Sequence, residues 1–187
     1  GRMPVFALCP AIGDVDILMA SELMEGGRAI MRGFVTPGRT TMIASTHRIP
    51  AVAEKIVPGD GRANGPEVIE AMGIAADKVV AFDMETVAKD AGSVISSSLL
   101  GALAGSGALP FPRESYEGVI RASGRGVEAS LRAFNDACDI AEGKTAVPVL
   151  PPEPVKEKPA LVVPDKLQKK WAKLETRVAA LPAPAQE

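Results

Sequence analysis

The one histidine of the chain, His47, stands in the run Ser45-Thr46-His47-Arg48. An imidazole changes charge near neutral pH, so it suits proton relay or anion binding. The guanidinium of Arg48 adds a fixed positive charge and a planar fork of donors. Thr46, His47 and Arg48 are therefore the candidate site residues. The plainer reading has Ser45, Thr46 and His47 satisfying backbone groups in a turn. A Ser-His-Asp arrangement does not emerge, because no G-x-S-x-G elbow precedes the histidine. Asp14 and Asp16 flank a strand start and could share acid/base work. A turn and edge role fits them better. Ser96-Ser97-Ser98 lies in a small-residue helix, where hydroxyls most often bond back to the helix backbone.

Gly59-Asp60-Gly61 matches the opening of the thiamine-diphosphate signature, in which the Asp and a downstream Asn pair hold Mg²⁺ with hard oxygen ligands. That pair is missing, since only Asn64 and Asn135 follow. Gly59, Gly61 and Gly65 also form a loose G-x-G-x-x-x-G dinucleotide loop, but Pro58 precedes it instead of a clear buried strand. A Gly-rich turn is the favoured reading. Cys9 and Cys138 stand far apart, and no C-x-x-C occurs. A structural zinc site or an iron–sulfur cluster held by this chain alone is not expected. Redox chemistry, if present, is expected to run through another chain or a bound cofactor.

These residues belong to a chain of 187 residues, room for one ordinary domain and a tail. The formal charge of −2 gives no global basic field for nucleic acid. Aromatics are only 4%, too few for base-stacking platforms. No apolar run approaches the ~20 residues of a membrane span. No secretory signal is visible. The expectation is a cytoplasmic protein that binds neither nucleic acid nor membrane.

The composition shifts near residue 144. All 18 Gly lie in residues 1–143, and half of the 16 Pro lie beyond them. Residues 1–143 carry 13 Lys+Arg against 18 Asp+Glu, net −5, whereas residues 144–187 carry 8 against 5, net +3. Three parts are expected: a globular domain over 1–143, a Pro-rich linker over 144–164, and an amphipathic helix with the start of a C-terminal extension over 165–187. Proline at the linker's density favours extended polyproline II, a semi-rigid spacer. A proline-rich ligand is the rival. The terminal helix aligns Leu167, Trp171, Leu174 and Val178 on one face, with Lys166, Lys169, Lys170, Lys173 and Arg177 on the remainder. Docking on protein is favoured over a membrane surface.

Within the domain, apolar runs at Pro4–Cys9, Val15–Ala20, Thr40–Ser45 and Val79–Phe82 read as buried strands. Ser21 is the expected N-cap of a helix with Leu23, Met24, Gly27, Ile30, Met31 and Phe34 inward. Pro66 suits the first turn of a helix carrying Val68, Ile69 and Met72. Asp83 caps another that stops at Gly92. Residues 93–105 form a buried small-residue helix. Pro112 starts the next, with Tyr116, Val119 and Ile120 inward, and Val127, Leu131, Phe134 and Cys138 line the last. Residues 51–57 are ambiguous. Strand–helix alternation followed by helices predicts an α/β fold, a three-layer α/β/α arrangement with a mainly parallel sheet. Only three or four strands are expected, fewer than the ~5–6 of a typical sheet, so a piece truncated at the N-terminus is expected.

Three stretches, Gly13–Leu23, Arg39–Arg48 and Gly101–Glu114, resemble the beta subunits of indolepyruvate:ferredoxin oxidoreductases. Those subunits carry the gamma-type domain of the 2-oxoacid:ferredoxin oxidoreductase family. The likeness covers residues 1 to about 140 and continues less specifically through the tail. It implies an enzyme that oxidatively decarboxylates an aryl 2-oxoacid with coenzyme A, giving an acyl-CoA and CO₂, with electrons passing to ferredoxin. It further implies that thiamine diphosphate, Mg²⁺ and iron–sulfur clusters reside in a large alpha subunit, and that this chain packs on it without being catalytic alone. The sequence departs from the family in two places. No Gly-rich first β–α unit precedes Gly1, and Ser96 stands where an Asn is common. Two other readings stay open: a stand-alone Rossmann-like nucleotide binder using Gly59–Gly65, and a pure assembly module.

Overall fold

The computed structural model describes residues 9–50, 52–56, 64–147 and 165–180. The chain divides into two compact units, Gly1–Val149 and Leu150–Glu187. In the first, three strands, β1 (Ile17–Ala20), β2 (Thr41–Ser45) and β3 (Lys78–Phe82), form a parallel sheet in the order β1-β2-β3. Thr41 pairs with Ile17 on one side and Lys78 on the other. The expected strands are present, with β1 beginning two residues later than the apolar run. The run Pro4–Cys9 lies almost wholly outside the described residues.

Sequential parallel neighbours need crossovers of one hand, which places both connections on the same face. Helix α1 (Leu23–Met31) makes the first. Helices α2 (Val52–Ile56) and α3 (Gly65–Ala75) make the second. The strands alternate inward faces as the pleat dictates. Met42 and Ala44 pack with Leu23, Val35 and Met72 under α1 and α3. Ile43 points the other way, to Val80, Phe82, Met84, Val87 and Ala102. That second face is covered by α4 (Met84–Asp90), α5 (Ile95–Ser106) and α7 (Val127–Ala141). The fold is α/β with helices on both faces of the sheet. Each fully buried Met, Ile or Phe contributes about 1.5–3 kcal/mol of transfer free energy.

The small residues of α5 allow its backbone to lie directly on α7. A Cβ at Gly101 would sit 2.2 Å from the Phe134 carbonyl oxygen, and one at Gly105 2.5 Å from that of Cys138. Nothing larger than hydrogen fits at either position. Helix α6 (Arg113–Ala122) packs beside this pair through Tyr116 and Ile120, next to Phe134. Tyr116 stacks on Phe134 at 6.1 Å between centroids, and Phe111 meets Tyr116 edge-on at 6.3 Å.

Several local expectations change. The cap of α1 is Glu22, not Ser21, because Glu22 turns its carboxylate onto the Met24 and Glu25 amides. Gly26 faces the core where Met31 was expected, since α1 ends at Met31 and leaves that side chain in solvent. Val119 is likewise exposed, as only Tyr116 and Ile120 reach the α5–α7 pair. The Ser98 hydroxyl is buried without a partner, and Ser97 bonds Ser93 instead of the helix backbone. By contrast, Asp83 caps α4 as expected, and Gly92 follows it at φ +72°.

In the second unit, α8 (Asp165–Ala179) is amphipathic, and Leu167, Trp171, Leu174 and Val178 stand in solvent. Most of the expected linker lies outside the described residues. Among the described residues no helix is long and apolar enough to cross a membrane.

Candidate functional site

Because the strands are parallel, their C-terminal ends share one edge of the sheet. In open α/β sheets ligands bind outside that edge. Three hydrogen bonds build it here. Leu23 N donates to His47 O at 3.2 Å, Thr46 N to Phe82 O at 3.0 Å, and Met84 N to Ser45 Oγ at 3.1 Å. The end of β2 is thereby tied to the start of α1 and the start of α4.

Thr46, His47 and Arg48 all lie on this edge, half-buried. Their side chains have different duties. His47 Nδ1 is 2.8 Å from Ser45 Oγ, and Ser45 itself is fully buried. Arg48 forms ion pairs with Glu22, Nε to Oε1 3.7 Å, and with Glu54. Its Nη1 also lies 3.0 Å from Met24 Sδ. Glu22 in turn accepts from Met24 N at 2.8 Å through Oε2 and from Ile49 N at 3.2 Å through Oε1. One carboxylate thus caps α1, fixes the chain after β2 and meets the guanidinium. Arg48 therefore works as a brace between α1 and α2.

Sequence reasoning missed Glu22 and Glu54. Glutamate is an unusual N-cap, so the strand–Ser-Glu-Leu junction gave only a weak signal. Glu54 sits in a five-residue helix within the ambiguous segment. Asp14 and Asp16 lie apart, at the opposite edge. They pair with Arg39 at 2.6 and 2.9 Å, and these contacts raise the guanidinium pKa further above its ordinary value. This is an edge clamp, as the turn reading had it.

A groove of about 390 Å³ runs between α1 and α3, lined by Met24, Ile30, Glu54, Val68 and Ala71 among others. The Gly59-Asp60-Gly61 run lies outside the described residues, and Gly65 opens α3.

The described residues do not fit an iron–sulfur cluster or a metal ion. No group of three His, Cys, Asp or Glu among them converges. Cluster ligation needs thiolates. Cys9 is exposed, and Cys138 is buried beside Glu142 with its Sγ 3.7 Å from Oε1. Burial pushes the Cys138 thiol up to about 11, so it stays protonated.

A family model described as pyruvate ferredoxin/flavodoxin oxidoreductase matches residues 2–140. The chain belongs to that family. No curated protein and no solved structure gives a significant match.

Proposed function

We propose, from the premise that the chain belongs to the pyruvate ferredoxin/flavodoxin oxidoreductase family, that it is an accessory domain of an enzyme for aryl 2-oxoacids such as indolepyruvate. The carrying observation is the family match over residues 2–140. The aryl specificity rests on the likeness of Gly13–Leu23, Arg39–Arg48 and Gly101–Glu114 to indolepyruvate enzyme subunits. Thiamine diphosphate, Mg²⁺ and the clusters are assigned to a large partner subunit. Those groups would supply decarboxylation and carry the electrons to ferredoxin, with coenzyme A taking the acyl group. This chain's own contribution is a hydrogen-bonded sheet edge that presents the Thr46–Arg48 turn.

Within that edge His47 is the side chain best placed to meet a shared site. Thr46 is held through its backbone, and Arg48 is engaged by Glu22 and Glu54. The test is to tag the protein in its native host and purify it anaerobically. A large second chain with iron–sulfur absorbance and thiamine diphosphate should accompany it. If the protein emerges alone and colourless, the subunit reading fails.

The assembly-module reading keeps one observation, the solvent-facing apolar stripe of α8. Deleting residues 144–187 should then abolish complex formation while the domain stays folded. Retained complex formation would leave assembly to the domain itself.

A further inference from the structure

We infer that Ser45 is a positioning residue that locks His47 in one neutral tautomer, with Nδ1 accepting and Nε2–H directed outward as a hydrogen-bond donor. The argument is a count of protons. Ser45 Oγ is fully buried and already accepts the Met84 amide hydrogen at 3.1 Å. A hydroxyl has one proton to give. The second partner of Oγ, at 2.8 Å, is His47 Nδ1. A neutral ring can accept that proton only if Nδ1 is bare, which puts the ring's own hydrogen on Nε2. In the other tautomer Nδ1–H and Met84 N–H would both point at Oγ, and the serine proton would be left without an acceptor in a buried site.

The other ring nitrogen is left for a ligand. Among the described residues Nε2 has no hydrogen-bond partner, and it is not among the buried unpartnered atoms, so it reaches solvent. The ligand chemistry is an oxygen acceptor, such as the carbonyl or carboxylate of a 2-oxoacid or an acceptor on the partner chain. His47 then works as a fixed donor, not as a base. This step rests on the reading that the Thr46–Arg48 edge faces a shared site. The serine–histidine lock itself does not.

Two measurements separate the two layers. His47 is the one histidine, so nitrogen NMR of the full chain reads its tautomer without assignment ambiguity. The neutral wild-type ring should be in the Nε2–H form, with the Ser45 hydroxyl proton coupled to Nδ1. Ser45→Ala should lower the ratio of Nε2–H to Nδ1–H by roughly fivefold, the factor carried by one ordinary hydrogen bond. An Nδ1–H wild-type ring, or a ratio unmoved in Ser45→Ala, overturns the lock. If Ser45→Ala does not fold, the hydroxyl coupling in the wild type decides alone.

The second measurement is turnover of the assembled enzyme. A Gln amide nitrogen stands near the place of Nε2 and donates without titrating. His47→Gln should lose clearly less turnover than His47→Ala, which should lose about tenfold. Equal losses in both variants overturn the donor role in favour of proton relay. Unchanged turnover in His47→Ala removes His47 from the shared site and with it the donor role, while the NMR result still decides the lock.

Discussion

The α5–α7 seam and the C-terminal edge of the sheet secure the same domain by opposite means. The seam is dry and small-residue. Gly101 and Gly105 let two helix backbones touch, and nothing polar is needed to fix their register. The edge is polar. Glu22, Arg48, Glu54, Ser45 and the Met84 amide hold one another, and each group has a named partner. Overpacking a close backbone contact has no cheap relaxation. A hydrogen-bonded edge can lose one member and keep the fold. Rigidity is therefore concentrated in the seam, and adaptable chemistry can sit on the edge.

The largest way to break this contrast is Gly101→Ala. The added carbon meets a backbone oxygen at 2.2 Å, so stability should fall by about 3 kcal/mol in urea unfolding. A loss under about 1 kcal/mol would show that the helices slide apart freely. The same substitution at Gly118, on open helix surface with nothing within 4 Å, should instead stabilise by about 0.5–1 kcal/mol. Opposite signs for one chemical change would sharpen the point.

Next in size is Arg48→Ala on the edge. Glu22 and Glu54 are each about 10% exposed and both pair with the guanidinium, so its removal takes an ion-pair partner from two nearly buried carboxylates. The cost should be about 2–3 kcal/mol, less than for a wholly buried pair. Thermal melting of the variant checks it, and an unchanged Tm would assign the brace to surface decoration.

Ser98→Ala tests whether the seam side carries polar debt. The hydroxyl is buried without a partner, so its removal should be neutral or stabilise by up to about 1 kcal/mol. Clear destabilisation would show that the hydroxyl has a partner after all.

The smallest effect concerns Glu142, just past α7. Its hydrogen bond with Lys144 holds its carboxyl below the ordinary value of 4.5. A depressed acid stabilises the fold above its unfolded pKa, and that contribution disappears as pH falls through the lower, folded value. The pair is partly exposed, so the gain is a few tenths of a kcal/mol at most. Lys144→Met should flatten this acid limb in pH-dependent melting by lowering the plateau above pH ~6 toward the low-pH value.

The sequence carried the fold well where one local rule decides. β2 and β3 were legible from continuous apolar runs, α3 from Pro66, and α4 from the Asp83 cap and Gly92. It failed where a partner far along the chain decides. Met31 and Val119 fit an apolar periodicity yet are exposed, because α1 ends at Met31 and, among the described residues, no element covers the outer face of α6. The site was legible as a place, since a turn after a buried strand falls on the sheet's C-terminal edge. The duties of its members were not. The Ser45–Met84 bond spans 39 residues, and Arg48 meets a glutamate 26 positions upstream and another in a short helix with no clear periodicity.

The aromatic inventory gives the two units separate optical signatures. The one tryptophan, Trp171, lies on α8 and is 57% exposed, while the one tyrosine, Tyr116, is buried against Phe134. Indole emission excited at the red edge therefore reports the surroundings of the tail helix. Tyrosine absorbance responds to the domain. A ligand or partner that blue-shifts the emission and leaves the tyrosine signal alone has covered α8; the reverse pattern places the event in the domain.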